Sequence, residues 1–281
     1  MASIDFDPTT VQILDPKSME EREIKNNYAQ LYWNDQKRKG VTEYEAKSIM
    51  RERNYFASMM VKTGDADAML SGYSRNYASV VKPVMSIIGK AKGVTRIAAT
   101  NLMLTERGPL FLSDTSINID PTAKELAKIA YMNAQVVEMF GFKPVTAMIT
   151  FANFGASKHP GVKKVSEAVD YLHRYYPDLE VDGPLQSDFA LNKEMLAEKF
   201  PFSELVKKNV NTLIFPNLEA ANITYKLLKE LNGAQSVGPI LLGLEKAVHV
   251  LQLGASVDEM VNMAAVAVVD AQQKQQNKPL K

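Results

Sequence analysis

A regular alternation of apolar and amphipathic segments in the second half of the chain constrains the fold most strongly. The apolar segments are short enough for strands, and the segments between them have the length of helices. We predict strands at residues 145–151, 179–181 and 210–215, and helices at residues 162–175, 189–199 and 220–231. Strands that alternate with helices of this length form right-handed βαβ units. The pattern therefore predicts an α/β fold with a mostly parallel sheet.

The last apolar segment leads into a long helix through a glycine turn. Residues 247–251 are typical of a buried strand, Gly254 follows it, and Ser256 with Glu259 forms a capping-box pattern. Apolar residues at 257, 260, 261, 264, 265 and 268 predict a helix that is buried nearly all round. Such a unit can direct backbone N–H groups at an anionic ligand. An ordinary core βα unit has the same pattern, so both interpretations stand.

The first half of the chain is less regular. We predict strands at residues 11–14 and 66–70 and helices at residues 18–38, 42–64 and 76–88. Pro83 must lie in the first turn of its helix or kink it. A hairpin of strands at 97–104 and 110–112 follows, and Asp120-Pro121 starts a helix that runs to residue 140.

Composition excludes several classes of function. The chain has 281 residues, a formal net charge of +1 and no cysteine, so there is no global field for nucleic acid and no thiolate chemistry. No N-terminal signal peptide and no membrane-spanning apolar run are visible. We expect a soluble, cytoplasmic protein without nucleic-acid or membrane partners.

Small polar and basic side chains follow several predicted strands. In an open α/β sheet, ligands bind beyond the carboxyl ends of the strands, and these donor-rich loops suit a phosphate-bearing ligand better than a hydrolytic site. The candidate ligand-binding residues are Ser71, Gly72, Tyr73, Arg75, Ser113, Asp114, Asn153, Gly155 and Ser157.

The ionisable residues give no catalytic constellation. His159 opens a predicted helix, His173 lies within it, and His249 lies in a strand, so no Ser/His/Asp arrangement and no metal site follow from the spacing. Most carboxylates lie beside lysines on predicted helix faces, where solvated surface is the simpler interpretation. Asp188 precedes a helix and either caps it or faces a cleft.

Several segments together resemble the phosphate acetyl/butyryltransferase family, in the family's order and over nearly the whole chain. They are GDADAMLSG from Gly64, the segment from Asp114 to Pro121, LEVDGPLQSDFAL from Leu179, FPNLEAANITYKLL from Phe215, GPILLGLEKAVHVL from Gly238 and GASVDEMVNM from Gly254. Three details are more similar to the phosphotransacetylase-like C-terminal domain of NADP-dependent malic enzymes. They are RKGVT from Arg38, NFGAS from Asn153 and VVDAQ from Val268.

The resemblance implies two α/β/α lobes of the isocitrate/isopropylmalate dehydrogenase type, with an acyl-CoA cleft between them. The first lobe would comprise residues 1–94 and 242–281, and the second lobe, residues 95–241, would be inserted into it. The family's first lobe begins with further βα units, so we expect this lobe to be N-terminally truncated here. The resemblance also implies a homodimer through the second lobe.

The chain departs from the family at positions that carry its chemistry. Gln252 and Leu253 replace a Ser-Arg pair, Gln36 replaces an arginine, Lys82 replaces a phosphate-binding arginine and Glu259 replaces a shorter acid. Arginine binds phosphate with two parallel hydrogen bonds, which leucine cannot form and lysine replaces only with a point charge. Losing one preorganised donor costs about 10²–10³ in rate, so we expect no intact catalytic set.

Three hypotheses follow. The leading one is a regulatory and oligomerisation domain of an NADP-dependent malic enzyme. This domain would bind acetyl-CoA as an allosteric inhibitor and phosphate as a second ligand. It needs no cofactor, since NADP and a divalent metal would belong to a linked malic enzyme domain. The alternatives are an active phosphate acetyltransferase, which uses Lys82, Arg75 and Ser157 in altered roles, and a dimerisation domain with a collapsed cleft.

Overall fold

A computed structural model describes residues 11–75, 77–232 and 235–276 and shows two sheets surrounded by helices. The helices are α1 (Arg22–Gln36), α2 (Glu43–Ile49), α3 (Arg53–Thr63), α4 (Tyr77–Ile87), α5 (Ala123–Met139), α6 (Pro160–Tyr175), α7 (Ser187–Leu191), α8 (Lys193–Lys199), α9 (Leu218–Asn232) and α10 (Val257–Gln275). The strands are β1 (Ala68–Ser71), β2 (Ala98–Thr105), β3 (Gly108–Ser113), β4 (Val145–Ile149), β5 (Glu180–Leu185), β6 (Thr212–Ile214), β7 (Ser236–Leu242) and β8 (Ala247–Val250).

The larger sheet has six strands in the order β5-β4-β6-β3-β2-β7. Strands β3, β6, β4 and β5 are parallel, whereas β2 is antiparallel to both of its neighbours. Helices α5 and α6 pack on one face, where Leu126, Val165 and Leu172 share a core with Met148. Helix α9 contributes Tyr225 to the core of the other face. The mostly parallel α/β prediction is confirmed.

The smaller sheet pairs β1 with β8 in parallel. Helices α1 to α4 cover one side of it, with Tyr28, Phe56 and Val80 in the core. Leu241, from the last strand of the larger sheet, belongs to the same core. Hydrophobic packing therefore runs without a break from one sheet to the other.

The capping boxes predicted at Thr42 and Ser256 are confirmed. Thr42 caps α2 and Ser256 caps α10, each in a complete capping box. The helix predicted from Asp120-Pro121 begins later, because Thr122 caps α5 and forms the box with Glu125. A side chain that accepts a hydrogen bond from an orphan N–H fixes the first turn, and a proline nearby is the weaker signal.

Several predicted elements are wrong. Residues 11–14 form no strand, and Ile13 is 86% exposed. The helices predicted at 42–64 and 189–199 are each two helices. Of the two placements left open for Pro83, the first turn is excluded, because Pro83 lies inside α4. Strand β7 has no counterpart in the prediction, although SVGPILL is an apolar run. Residue 76, where the prediction starts α4, lies outside the described residues.

The burial predicted for α10 is also wrong. Val257, Val261 and Val268 are 72%, 60% and 54% exposed, whereas Met263 and Val266 face the core. The apolar stripe expected in the core therefore faces solvent, and the helix packs by its other side on β7, β8 and β1. Among the described residues, none of the helices has the length and apolar character needed to cross a bilayer.

Candidate functional site

The turns after β1 and β8 meet at one edge of the smaller sheet. Ser71 lies opposite Val250 in the parallel register, and the Leu251 N–H donates to the Ser71 carbonyl at 2.7 Å. Gly72 has a φ of +111°, and a Cβ there would lie 2.4 Å from the Leu251 carbonyl oxygen. Only glycine allows this approach. The structure thus brings the predicted residues 71–75 beside residues 251–254.

The side chains at this edge are a mixed set. Tyr73 and Leu253 are 55% and 65% exposed, Arg75 is exposed, and Gln252 is half-buried. Ser71 is engaged, since its hydroxyl donates to Asn54 Oδ1 at 2.8 Å. Arg75 is the residue of this edge that can attract an anion, and its guanidinium suits a phosphate group.

Two other altered family positions lie on α4 and at the end of α1. Lys82 is exposed on α4. Gln36, at the end of α1, is buried and donates through Nε2 to the Ser86 carbonyl of the same helix at 3.3 Å. Gln36 therefore joins α1 to α4, and its amide nitrogen is engaged within the protein.

Glu259, at the position of the family's acid, is occupied by its own structure. One oxygen accepts from the Ser256 N–H at 2.8 Å, and the other lies 2.6 Å from Lys229 Nζ. Partial burial raises its pKa, but the bonds from Lys229 and Ser256 outweigh burial and hold that pKa below its ordinary value. The carboxylate is charged and fully engaged, which makes it a poor proton acceptor.

Asp114 organises a buried loop at the end of β3. Its carboxylate accepts hydrogen bonds from the backbone N–H groups of Ala99, Ser116, Ile117 and Asn118 and from the Asn118 amide. It is 3% exposed, and burial raises its pKa against these hydrogen bonds. The preceding Ser113 hydroxyl donates to the Ala99 carbonyl. Both predicted ligand residues therefore hold the loop in place, and neither is free to contact a substrate.

A surface depression with a volume of about 430 Å³ lies at the carboxyl ends of β4 and β6. Lys164 reaches into it from α6 and contacts Asp120 Oδ1 at 2.5 Å and the Pro216 carbonyl at 2.8 Å. Phe151, His159 and Asn217 complete its wall. The sequence interpretation missed this group because Asp120 was assigned to a cap. A lysine in the second turn of a helix that follows a strand was the available signal.

Three further predicted residues, Asn153, Gly155 and Ser157, follow β4 in the chain. Asn153 and Gln186 form a closed pair, with bonds of 2.7 and 2.8 Å, and Asn153 is buried. Gly155 is exposed, and the Ser157 hydroxyl accepts from the His159 N–H at 3.2 Å. Of these three residues, Gly155 is the exposed one.

Asp188 lines a different depression from the one that Lys164 enters. It is in the first turn of α7, whose N-cap is Gln186, and it lines a shallow depression of about 320 Å³ together with Arg107 and Asn192. It is neither the cap nor a residue of the β1–β8 edge. The candidate residues thus fall into separate groups along the carboxyl ends of the two sheets.

The histidines do not meet. His159 caps α6 by accepting from the Gly161 N–H at 3.1 Å. His249 is fully buried, its Nδ1 accepts from the Leu241 N–H at 3.2 Å, and its Nε2 faces Asp270 Oδ2 at 3.2 Å. Since Nδ1 is the acceptor, the proton lies on Nε2. Within the described ranges, no cluster of three His, Asp or Glu side chains could hold a metal ion.

Comparisons with known proteins agree on one family. The family model described as phosphate acetyl/butaryl transferase matches residues 1–268. The chain is 39% identical over 244 residues to an NADP-dependent malic enzyme of Haemophilus influenzae, covering 86% of this chain and 32% of the enzyme. It is 34% identical over 278 residues to a phosphate acetyltransferase of Clostridium acetobutylicum, covering 96% of this chain and 82% of that protein.

The fold comparison gives the same relationship. The EutD phosphotransacetylase of Staphylococcus aureus superposes with a TM-score of 0.83 at 30% identity, covering 95% of this chain and 80% of that structure. The chain spans about a third of the malic enzymes that it matches, since it covers 32% of the length of each of three.

Proposed function

This chain belongs to the phosphate acetyl/butaryl transferase family, and from that premise we propose that it is the acetyl-CoA-binding regulatory and oligomerisation domain of a cytoplasmic NADP-dependent malic enzyme. In this proposal acetyl-CoA acts as an allosteric inhibitor, and the domain transfers no acetyl group. The family predicted from the sequence is confirmed. The role within that family is our inference.

The observation that carries the proposal is the pair Gln252 and Leu253 in the turn after β8. A transferase must stabilise the charge that develops when phosphate attacks the thioester, and preorganised donors do this best. An amide and an isobutyl group cannot supply an alcohol and a cation. The engaged state of Glu259 supports the same conclusion, since its two oxygens already accept hydrogen bonds.

The link to malic enzyme rests on the relatives that match at 38% to 39% identity over about a third of their length. We propose that a malic enzyme domain is covalently linked to this one in the parent protein, and that NADP and a divalent metal bind there. We also propose that the chain forms a homodimer through residues 95–241.

Thiol release tests the absence of transferase activity. The purified chain is incubated with acetyl-CoA and phosphate, and free CoA is measured with a thiol reagent. We expect no phosphate-dependent release above the uncatalysed rate. As the matched control, Gln252→Ser with Leu253→Arg restores the family pair, and any release gained by this variant assigns the loss of activity to that turn. Turnover by the unchanged chain refutes the proposal.

Calorimetry tests the regulatory half. Acetyl-CoA is titrated into the chain joined to its malic enzyme domain, and malate decarboxylation is followed at the same concentrations. We expect binding heat and inhibition that saturate together, because a ligand shifts an equilibrium only by its differential affinity. Binding without inhibition would rule out the regulatory role. If acetyl-CoA neither binds nor inhibits, only the dimerisation role remains.

A second candidate is an active phosphate acetyltransferase. The match over 82% of the Clostridium acetobutylicum enzyme favours it, since that relative is a free-standing protein of similar extent. Lys82, Arg75 and Ser157 would then take altered roles in binding phosphate and the acyl group. In this case Lys82→Ala lowers the thiol-release rate, whereas under our first proposal there is no rate to lower.

A further inference from the structure

The depression that Lys164 enters is lined by hydrogen-bond donors. Lys164 brings an ammonium group into it, on a side chain that is only 20% exposed. The His159 ring accepts the Gly161 N–H through Nδ1, so Nε2 of the neutral ring carries the proton and can donate. Asn217 Oδ1 accepts the Ala220 N–H at 2.9 Å. The Asn217 Nδ2 group has no partner in the described part of the chain, so its hydrogens are available to a ligand.

Thr150 adds a buried hydroxyl to the same depression. It follows β4 directly and is 8% exposed. Its backbone N–H donates to the Leu185 carbonyl at 2.9 Å, but its hydroxyl has no hydrogen-bond partner among the described residues. A buried hydroxyl without a partner is costly, so such groups are rare in folded proteins. The Thr150 hydroxyl therefore marks a position for a ligand atom.

Asp120 is the internal partner of Lys164, and it can be displaced. The side chain of Asp120 is 76% exposed, and an ion pair with so exposed a partner contributes little to stability. Lys164 is also held by the Pro216 carbonyl at 2.8 Å, so it stays in place when Asp120 moves away. An anion with two negative charges can then replace the Asp120 carboxylate on the ammonium group.

The groups around the depression select an anion. A metal ion is a poor occupant because the Lys164 ammonium group repels it. Helix α9 begins at Leu218, directly after Asn217, and adds the positive end of its dipole. Phe151 is 60% exposed, contacts His159 edge to face at 5.4 Å and forms an apolar side wall. The volume of about 430 Å³ is that of a site for a small molecule.

We propose that this depression binds a phosphoryl group, either as inorganic phosphate or as the phosphate of a small monoester. Its oxygens accept hydrogen bonds from four side chains, Lys164, Thr150, His159 and Asn217. Lys82, which the family resemblance links to phosphate, lies on α4 and does not line the depression. The proposal therefore adds a separate anion site on the larger sheet. It goes beyond the proposed function and holds whether or not acetyl-CoA binds.

Titration of the full chain with inorganic phosphate, at constant pH and ionic strength, tests the site. The chain has three histidines, so the imidazole NMR signal of His159 is assigned with the variant His159→Gln. We expect this signal to shift and saturate. Lys164→Gln should raise the dissociation constant at least about 10-fold, because a charge-assisted hydrogen bond is lost. Lys163→Gln, which removes an exposed charge from the same helix, is the matched control and should change the constant less than about twofold.

Two further variants separate the competitor from the ligand-binding groups. Asp120→Asn should lower the dissociation constant about threefold or more, because the competing charge is gone. Thr150→Val keeps the shape of the side chain, removes the hydroxyl and should raise the constant about fivefold. Thermal melts of each variant confirm that it is folded, so a result does not depend on Lys164→Gln alone.

A parallel titration with phenyl phosphate distinguishes the two sources of the phosphoryl group. Tighter binding than that of phosphate identifies a monoester that uses the Phe151 wall, and equal binding identifies inorganic phosphate. The absence of a saturable shift with both probes overturns the proposal. Equal weakening in Lys164→Gln and Lys163→Gln identifies an adventitious ion only and overturns it as well. Acetyl-CoA calorimetry on the same samples shows separately whether the proposed function stands.

Discussion

At the scale of single residues, several polar groups at family positions serve the structure. Asp114 accepts five hydrogen bonds within its own loop, and Gln36 bonds the backbone of a neighbouring helix. A donor or acceptor that is satisfied inside the protein must lose that bond before it can serve a ligand. These residues are therefore poor candidates for chemistry, whatever the family position suggests.

Gly72→Ala should destabilise the fold strongly. The new Cβ meets the Leu251 carbonyl at a φ of +111°, where residues with a side chain are strained. We expect a loss of about 3 kcal/mol from strain and overpacking together. Gly40→Ala is the control, since Gly40 has a φ of +92° but nothing lies within 4 Å of its Cβ position. It should cost about 1 kcal/mol, the strain of a side chain in the left-handed region. Urea unfolding measures both, and equal losses would contradict the close approach.

Asp270→Asn should change the pH dependence of stability. Burial raises the pKa of Asp270, but the bond to His249 and the charge of Lys274 hold that pKa below its ordinary value of 3.8. A depressed carboxylate pKa stabilises the fold above the unfolded pKa, and this stability is lost as pH falls through the folded pKa.

The unfolding free energy of the two proteins should therefore differ most at neutral pH. The difference should shrink below about pH 4, where the unfolded carboxyl takes up a proton first. Equilibrium denaturation across this range measures it. A difference that stays constant with pH shows that Asp270 acts only by packing.

At the scale of elements, the N-cap predicted for α10 is confirmed, whereas the buried face predicted for the same helix is wrong. Its capping box is complete and lies where the sequence predicted it, because the bonds join residues three positions apart. Its buried side depends on strands β1, β7 and β8, which are distant in sequence. A helix that is apolar on both sides gives no local preference for either.

Truncation of the two faces of α10 distinguishes them. Met263→Ala removes a fully buried side chain and should cost about 2–4 kcal/mol, whereas Val261→Ala should change stability by less than about 0.5 kcal/mol. Urea midpoints of the two variants test this order. A larger loss of stability in Val261→Ala than in Met263→Ala would show that the Val261 side of α10 is the buried one.

At the scale of the whole molecule, the two sheets share one continuous core. Leu241 and Ile97 pack with Val248 and Val80, so the smaller sheet and the larger sheet meet without a solvent layer. Binding of a ligand at the carboxyl ends of both sheets should therefore raise the free energy of unfolding of the whole chain.

Acetyl-CoA should raise the thermal midpoint of the isolated chain if the proposed function is right. At about 100 times the dissociation constant, a ligand specific for the native state adds about 2.7 kcal/mol of stability. Differential scanning fluorimetry measures the shift, and NADP, assigned to the linked domain, is the control expected to give none. No shift with acetyl-CoA favours the purely dimeric role.

The sequence by itself determined the α/β class, the order of most helices and strands, and the family. It also determined the N-caps of α2 and α10 and, to within a few residues, the start of α5. Each of these depends on residues close in the chain or on the order of segments. It also identified residues 71–75 and 252–254 as segments that follow strands, and the parallel pairing of β1 with β8 placed them side by side.

Only the tertiary structure decided which side of α10 is buried, that β7 extends the larger sheet, and that Asp114, Glu259 and Gln36 are already bonded. These outcomes depend on partners that are far away in the sequence. Periodicity specifies that a helix has an apolar side, but burial is set by which surface another element covers.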